Sequence, residues 1–244
     1  MDIRFAPALL TLFCLGAHAE TFVVTRFDDP LPDGCVPANC SLREAADAAA
    51  TNDPFGGDDT IQLAAGTYTL IRGELSQGGS DQKLEIAGAG SGATRLTTDA
   101  ELFSSWNNHT LVVRGLEFST TAGLAFSTSA RNEASHLRLD DVVVPLGGGR
   151  VSAGGQDGFD TLLEIRNSTI HDRIDCDTGT GTCRIENTRF SSLYVNPATS
   201  PGPAVEIQRL IAEHPTPERL AFTLMDFSEE TLAYTGGKIE AACA

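Results

Sequence analysis

The sequence contains no run of basic residues that would offset its acidity. Its 244 residues include 33 Asp and Glu but only 17 Lys and Arg, which gives a formal net charge of −16 at pH 7. A surface this acidic repels the phosphates of nucleic acids, and it disfavours polyanionic sugars unless a cation bridges the charges. Nucleic acid is therefore excluded as the expected partner.

Long apolar runs are also scarce, and the one that stands out lies at the N-terminus. Residues 5–16 are mostly apolar, follow Arg4 and precede a small-residue cleavage site at Ala17–Ala19, which is the order of a secretory signal. The run is too short to anchor the chain in a bilayer, and no later segment is apolar enough to cross one. We interpret residues 1–19 as a signal peptide, with a buried helix as the alternative. We expect a secreted chain, periplasmic or extracellular, without a membrane span.

A short apolar pattern recurs through most of the remaining chain. Its first and third residues are apolar, as in Leu111-Val112-Val113, and alternation on a strand sends both to one face. A repeat in the twenties with this alternation is typical of stacked coils of parallel strands. We predict an all-β fold, a right-handed parallel β-helix solenoid over 60–228. The starts Leu84, Leu111, Leu137, Leu163, Cys183 and Val205 are separated by 27, 26, 26, 20 and 22 residues.

The fifth position of the pattern predicts a corner in each coil. Glycine, asparagine and aspartate tolerate a left-handed backbone better than other residues, so a sharp bend followed by a second strand is expected there. The fifth residues are Gly88, Gly115, Asp141, Asn167 and Asn187.

Two sets of outward positions carry charges whose sign alternates from coil to coil. If the coils stack in register, like positions lie roughly 4.8 Å apart and each charge faces an opposite one. An exposed ion pair contributes only about 0–1 kcal/mol, so we expect these charge ladders to set register and to neutralise the arginines. The second positions are Arg138, Glu164, Arg184 and Glu206, and the fourth are Arg114, Asp140, Arg166 and Glu186.

A helix is expected before the solenoid, within an N-terminal cap of residues 20–59. Ser41 and Glu44 have the spacing of a capping box, and the apolar periodicity after them predicts a helix from Leu42 to about Ala50. A helix with one apolar face can cover the open end of a stack of coils. Arg43 is expected to pair with a nearby carboxylate there rather than to bind a ligand.

The same region contains an intact six-residue string, Cys40-Ser41-Leu42-Arg43-Glu44-Ala45. Asp33-Gly34-Cys35 precedes it, and Asp58–Ile61 and Gly66–Leu70 follow it. Over residues 21–70 the sequence resembles the N-terminal motif of the bacterial CSLREA-domain family, whose members are exported and have bodies that look like right-handed, pectate-lyase-like parallel β-helices. The sequence departs from that motif at Ala46-Asp47. The resemblance implies export and a β-helical body, but it carries no agreed activity.

The cysteines predict two short disulfide loops in an exported chain. Cys35 with Cys40, and Cys176 with Cys183, are close enough in sequence to pair, and an oxidising compartment favours both bonds. Because Cys14 lies in the expected signal peptide, five cysteines remain and Cys243 is left over. Its pairing with Cys176 or Cys183 is an open alternative.

A cluster of acids near the second cysteine pair is a candidate calcium loop. Asp172, Asp175 and Asp177 precede Gly179 and Gly181, but a calcium site needs six or more oxygen ligands and the closing acid is missing. We interpret the segment as a solvated turn, with calcium binding at Asp175 and Asp177 as the alternative, and we expect no metal and no cofactor.

The sequence carries no arrangement typical of a catalytic site. Cleavage of a glycan needs two suitably separated carboxylates, or an unpaired Arg or Lys base with calcium. The ladders leave no evident free arginine, and no histidine stands beside a nucleophile motif. The best candidate acids are Asp157, Asp160, Asp172 and Asp175, and the histidines considered are His109, His136, His171 and His214.

Two long connections, 120–135 and 146–160, are the places where a binding site is expected, because long loops tend to carry function. We therefore expect a monomeric, non-catalytic extracellular β-helix module, with a structural role or one in binding a polysaccharide or another cell-surface component. The alternative is a polysaccharide lyase or glycoside hydrolase acting on an extracellular glycan. A fibre former is disfavoured because both ends are expected to be covered, the C-terminal end by 229–244.

Overall fold

The fold was determined from a computed structural model, which describes residues 19–52, 57–75, 83–106, 109–130, 134–155, 161–177, 181–195, 204–208, 221–224 and 232–235. Within these residues the chain forms a parallel β-solenoid with one short helix. The first six strands are β1 (Thr21–Val23), β2 (Asp58–Gln62), β3 (Gly66–Leu70), β4 (Lys83–Ala87), β5 (Thr94–Thr98) and β6 (Phe103–Trp106), and the helix is α1 (Leu42–Asn52). The later strands are β7 (Thr110–Thr120), β8 (Leu124–Ala130), β9 (Ser135–Val144), β10 (Arg150–Gly155), β11 (Thr161–Arg166), β12 (Thr169–Asp177), β13 (Thr182–Glu186), β14 (Arg189–Val195), β15 (Ala204–Gln208), β16 (Ala221–Leu224) and β17 (Leu232–Thr235).

The strands of successive coils pair in parallel and form three faces. The first sheet runs β1, β2, β4, β7, β9, β11, β13, β15, β17. The second sheet contains β3 and β5 and then the parts of β7, β9, β12 and β14 that lie on that face. The third sheet runs β6, β8, β10, β12, β14, β16. Long strands such as β7 therefore bend and serve two faces.

The register of the first sheet is the one that the repeat predicts. The repeat starts stand opposite one another from coil to coil, and the parallel β-helix is confirmed. The side chains of Leu84, Leu111, Leu137, Leu163 and Cys183 are buried in the bore, where each large aliphatic group stabilises the fold by about 1.5–3 kcal/mol. The opposed starts are Leu84, Leu111, Leu137, Leu163, Cys183 and Val205.

The predicted corners have a left-handed backbone at four of the five positions. Their φ values are 65° at Gly115, 53° at Asp141, 50° at Asn167 and 48° at Asn187. A side-chain amide also links neighbouring corners, because Asn187 Nδ2 donates to Asn167 Oδ1 over 2.8 Å. The corners therefore stack as a column of their own.

Gly88 is the corner where the prediction is wrong. Its backbone is not left-handed, and the positive φ of 127° falls two residues later, at Gly90. Glycine is required at position 88 for space, because an added Cβ would collide with the backbone carbonyl of Gly115 in the next coil. Glycine therefore serves close approach at one corner and backbone conformation at the next.

The segments 120–135 and 146–160, predicted as long loops, contain strands β8 and β10. Phe126 of β8 and Val151 of β10 are fully buried and stand opposite each other in the third sheet. The strand stack also extends beyond the predicted limits of 60–228, since β1 pairs with β2 inside the expected cap and β17 pairs with β15 inside 229–244.

The N-terminal cap contains the predicted helix, which runs to Asn52 rather than Ala50. The capping box is formed, because Ser41 Oγ accepts from the Glu44 N–H over 3.3 Å and Glu44 Oε2 accepts from the Ser41 N–H over 2.7 Å. The helix lies against β1 and β2, and its apolar face is buried. The residues of that face are Leu42, Ala45, Ala46 and Ala49.

Both predicted cysteine pairs are at disulfide distance. The Cα atoms are 4.3 Å apart in Cys35–Cys40 and 6.1 Å apart in Cys176–Cys183. Cys243 lies outside the described residues. Over the part of the chain that the structure covers, no helix has the length and apolarity needed to cross a bilayer.

Candidate functional site

Arg43 of the six-residue string joins the cap to the first coil. Its guanidinium contacts the carboxylate of Asp29 with both ends, Nε to Oδ1 at 2.8 Å and Nη2 to Oδ2 at 3.0 Å. The same guanidinium donates to the carbonyls of Gly73 and Glu74, each over 2.9 Å. Both side chains are buried. The prediction that Arg43 pairs with a carboxylate is confirmed, and its contacts are with the fold.

Asp29 is correspondingly held as a carboxylate. Burial alone would raise its pKa, but hydrogen bonds from Arg43 and from the N–H groups of Ile71 and Arg72 bring that pKa below its ordinary value of 3.8. A buried charge that is so fully paired acts as a structural connector.

The first charge ladder has the predicted register, with Arg138, Glu164, Arg184 and Glu206 opposite one another on the first sheet. Glu164 is 3% exposed and stands between two arginines. Arg138 Nε lies 2.5 Å from its Oε2 atom, and Arg184 Nη1 lies 3.0 Å from its Oε1 atom. The Glu206 side chain lies outside the described part of the chain.

Glu164 receives a third arginine from the neighbouring ladder. Arg166 Nη2 is 3.3 Å from Oε1 of Glu164. Burial would raise the pKa of Glu164, but the hydrogen bonds and charges of Arg138, Arg184 and Arg166 lower it below the ordinary value of 4.5. The centre of this face is therefore occupied by protein groups that bind one another.

The second ladder also has the predicted register, with Arg114, Asp140, Arg166 and Glu186 in line. Arg166 lies 3.7 Å from Glu186, as expected. The expected pair of Arg114 with Asp140 is wrong, because Arg114 Nε contacts Glu85 at 2.5 Å. Asp140 instead accepts a hydrogen bond from Asn167 Nδ2 over 2.8 Å. Asp140 is therefore bonded by Asn167 of the corner column and not by Arg114 of its own ladder.

The outer face of the third sheet carries a second group of charged and aromatic side chains. We call this group, made of Arg150, Ser152, Arg173, Asp175 and Tyr194, the third-sheet face. Ser152, Asp175 and Tyr194 stand opposite one another on β10, β12 and β14. Asp175 binds Arg150 Nε at 3.3 Å and Arg173 Nε at 2.5 Å. The Arg173 guanidinium lies 5.5 Å from the centre of the Tyr194 ring.

This face leaves its cations half open. The side chains of Arg150 and Arg173 are 44% and 45% exposed, whereas that of Asp175 is 10% exposed. A guanidinium has five N–H donors, more than one carboxylate can satisfy. The arginines therefore retain donors that point to solvent.

Glu101 lies beside the N-terminal part of this face. It hydrogen-bonds Ser127, which stands opposite Ser152 in the third sheet. Burial raises the pKa of the Glu101 carboxyl, and the nearby charge of Glu74 adds to the shift. Within the described structure its Oε1 atom is buried without a hydrogen-bond partner. Glu101 is thus an acid that retains its proton more readily than an exposed glutamate.

The predicted acids have different fates. Asp175 belongs to the third-sheet face, and Asp172 accepts a hydrogen bond from the Gly149 N–H over 3.3 Å. Asp157, Asp160 and the Asp177 side chain lie outside the described residues. Near the candidate calcium loop, the described carboxylates therefore contact arginines in the case of Asp175 and a backbone N–H in the case of Asp172. Across the described chain, no group of three or more His, Cys, Asp or Glu is arranged to hold a metal ion.

Two of the predicted histidines lie in neighbouring coils of the first sheet. His109 is buried, and its carbonyl accepts a hydrogen bond from the His136 N–H over 2.8 Å. His171 lies in strand β12, and His214 lies outside the described part of the chain. The contact between His109 and His136 is one of backbone groups.

Sequence reasoning missed Glu101, Arg150, Arg173 and Tyr194 as site residues. A signal was present, because Phe126, Val151, Ile174 and Leu193 form a further series of buried positions that stand opposite one another. Each is followed by an outward polar residue, and these residues form the row along the face. The list of outward residues is Ser127, Ser152, Asp175 and Tyr194.

Comparisons with known proteins identify no relative. No protein-family model, no curated protein and no solved structure matches this chain.

Proposed function

We propose that this chain is an exported, non-catalytic β-helix module that binds a glycan or another cell-surface component. The observation that carries the proposal is that the arginines on its two charged faces are paired with carboxylates. Arg114, Arg138, Arg166 and Arg184 on the first sheet, and Arg150 and Arg173 on the third, each have a carboxylate within 3.3 Å. An arginine base for lyase chemistry would have to be free of such a partner.

Export is supported by the two cysteine pairs, because disulfides persist in oxidising compartments. The order of residues 1–19 and the resemblance to CSLREA-domain proteins support the same location. Under this proposal the six-residue string is a structural motif, since its Arg43 and Glu44 bind groups of the cap and the first coil.

A glycoside hydrolase is the second candidate, and Glu101 with Asp175 favours it. Ser127, the partner of Glu101, is two strands from Asp175, so these positions are roughly 10 Å apart along the stack. Inverting glycosidases hold the carboxyl groups of an acid and a base about 6.5–9.5 Å apart, slightly less than this separation of strand positions, and the raised pKa of Glu101 suits the acid. Against this candidate, both carboxylate oxygens of Asp175 already contact arginines, Oδ2 with Arg150 and Oδ1 with Arg173.

Two measurements on the same purified chain test the proposal. The first is a glycan array, and the second is a screen for reducing ends and unsaturated products on polygalacturonate, alginate and xylan. We expect binding to at least one glycan on the array and no product from any polymer.

Products that disappear in both Glu101→Gln and Asp175→Asn, but persist in the control Glu85→Gln on the first sheet, would establish the hydrolase instead. A chain that binds no glycan on the array contradicts the glycan-binding role directly.

A further inference from the structure

We infer that the third-sheet face is the glycan site and that it takes a neutral, linear polysaccharide lying along the solenoid axis. This inference rests on the proposed function and specifies its site and ligand class. Three features of the face carry it: its balance of charge, the row of polar groups across its strands, and the ring of Tyr194.

The balance of charge selects against polyanions. The positive groups of the face are Arg150 and Arg173, and Asp175 between them neutralises part of this charge. Asp172 accepts a hydrogen bond from the N–H of Gly149, the residue before Arg150, and adds a negative charge near this end of the face. The whole chain carries −16, so an anionic polymer is repelled before it reaches these arginines. Neutral sugar hydroxyls face no such barrier.

The hydrogen-bonding groups suit hydroxyls. The half-exposed guanidiniums of Arg150 and Arg173 offer donors, while Ser152 offers both a donor and an acceptor. Asp175 fixes the two guanidiniums, since it bonds both of them from a nearly buried position. Fixed donors lose little conformational entropy when a ligand binds.

The row of outward residues gives the site its direction. Ser127, Ser152, Asp175 and Tyr194 are in register on consecutive strands, roughly 4.8 Å apart. A linear sugar chain laid across these strands meets Ser127, Ser152 and Tyr194 on their coils, and at the Asp175 position it meets the arginines that this carboxylate holds. A glycan that ran parallel to the strands would meet only one coil and lose most of these contacts.

Tyr194 supplies a ring at one end of the row. Its side chain is half-buried, and Arg173 lies against the ring, which fixes its position. An amphipathic ring that is held in place gives a sugar an apolar contact at low entropic cost.

The first-sheet face differs in the way that matters. There one buried carboxylate, Glu164, holds Arg138, Arg166 and Arg184, whereas the arginine–ring contact described above belongs to the third sheet. Replacing one of the first-sheet arginines therefore removes a half-exposed charge outside the proposed site, which makes it a matched control.

Isothermal titration of the full mature chain with cellohexaose, xylohexaose, mannohexaose and an oligogalacturonate of the same length tests the inference. The variants are Arg173→Ala, Tyr194→Ala and Tyr194→Phe, with Arg138→Ala as the control. We expect one or more neutral hexasaccharides to bind and the oligogalacturonate to bind more weakly. Arg173→Ala and Tyr194→Ala should raise the Kd about tenfold or more, because each removes a charge-assisted hydrogen bond or a ring contact. Tyr194→Phe keeps the ring and should retain most of the affinity, as should Arg138→Ala.

Two results would overturn the inference while leaving a glycan-binding role intact. One is a wild-type Kd that Arg173→Ala and Tyr194→Ala do not change although both variants are folded by circular dichroism. The other is tighter binding of the oligogalacturonate than of any neutral sugar. If the wild type binds none of the saccharides, either in the titrations or on the array, both the proposed glycan-binding function and this site are ruled out.

Discussion

Arg43 shows at the scale of one residue why a motif can be specific without marking a ligand site. Its five donors are distributed between one carboxylate and two backbone carbonyls, and the carboxylate of Asp29 is itself bonded to two backbone N–H groups. No other residue type presents this planar fork, so lysine could not replace it with the same geometry.

Replacing Arg43 by methionine should cost roughly 3–5 kcal/mol of unfolding free energy, because Asp29 would remain buried without its cation. Urea unfolding at pH 7 measures the loss. The control is Arg26→Met, whose partner Asp28 is exposed, and its unfolding midpoint should match the wild type. An Arg43→Met protein as stable as the control would show that the junction does not support the cap.

Glu164 is the residue whose protonation should be visible in the stability of the fold. Its folded pKa lies below 4.5, so the carboxylate contributes stability above that pH, and the contribution is lost as the pH falls through the folded pKa. Glu164→Gln should therefore lower the unfolding free energy at pH 7 by about 1.5–3 kcal/mol. The difference in unfolding free energy between the variant and the wild type should become smaller as the pH falls below 4.5.

Denaturant unfolding from pH 7 to pH 3 checks the expectation for Glu164. Glu186→Gln is the control, because Glu186 has a single arginine contact at 3.7 Å and should give a smaller difference at pH 7. If the difference in unfolding free energy between the wild type and Glu164→Gln stayed constant from pH 7 to pH 3, the ionised form of Glu164 would not be what stabilises the stack.

The corner column acts at the scale of the element, since it decides where each long strand bends. Asn167 has a φ of 50°, receives the amide of Asn187 and donates its own amide to Asp140. One side chain therefore combines a tolerated left-handed backbone with two bonds between coils.

Two substitutions at Asn167 separate these roles. Asn167→Val should cost about 1–3 kcal/mol from backbone strain in addition to the lost bonds, because a β-branched residue disfavours this conformation. Asn167→Gly keeps the backbone and loses only the bonds, so it should cost about 0.5–1.5 kcal/mol. Thermal unfolding ranks the two variants, and a valine variant at least as stable as the glycine variant would contradict the role of the left-handed corner.

The elements that sequence could predict are those whose inward residues are large and aliphatic. The first sheet repeats Leu, Ile or Val at its buried positions, and its register followed from that pattern. In the third sheet, the large buried residues Phe126 and Val151 are followed two positions later by the small or polar buried residues Thr128 and Ala153. The hydroxyl of Thr128 bonds that of Ser135, a buried residue of the first sheet. This pair of hydroxyls inside the bore interrupts the apolar alternation, so the sequence predicts loops where β8 and β10 lie.

The candidate site was partly predictable for the same reason. Asp172 and Asp175 were selected by residue type, but their partners depend on which strand lies beside them, and that follows from the coil lengths. Arg150 and Tyr194 meet Asp175 only because β10, β12 and β14 are stacked in one register. Likewise, Arg114 chose Glu85 over Asp140, since side-chain rotamers and competing bonds decide among neighbours that a repeat places at similar distances.

On the scale of the whole molecule, the first and third sheets share one arrangement, in which a nearly buried carboxylate holds half-exposed arginines. On the third sheet, one of these arginines also lies against the ring of Tyr194. The net charge of −16 should repel anionic polymers from the whole chain. The proposed binding role therefore depends on the Tyr194 ring and on the row of polar residues across the third sheet.

Hydroxyl-radical footprinting with and without the neutral hexasaccharide of highest affinity tests this account most directly, because it reports which side chains the sugar covers. The account predicts that oxidation of Tyr194 falls on binding, while oxidation of the exposed cap residues Phe27 and Leu31 is unchanged and the sugar is recovered at its original length. Unchanged oxidation of Tyr194 at saturating sugar, or recovery of shortened sugars, would contradict it.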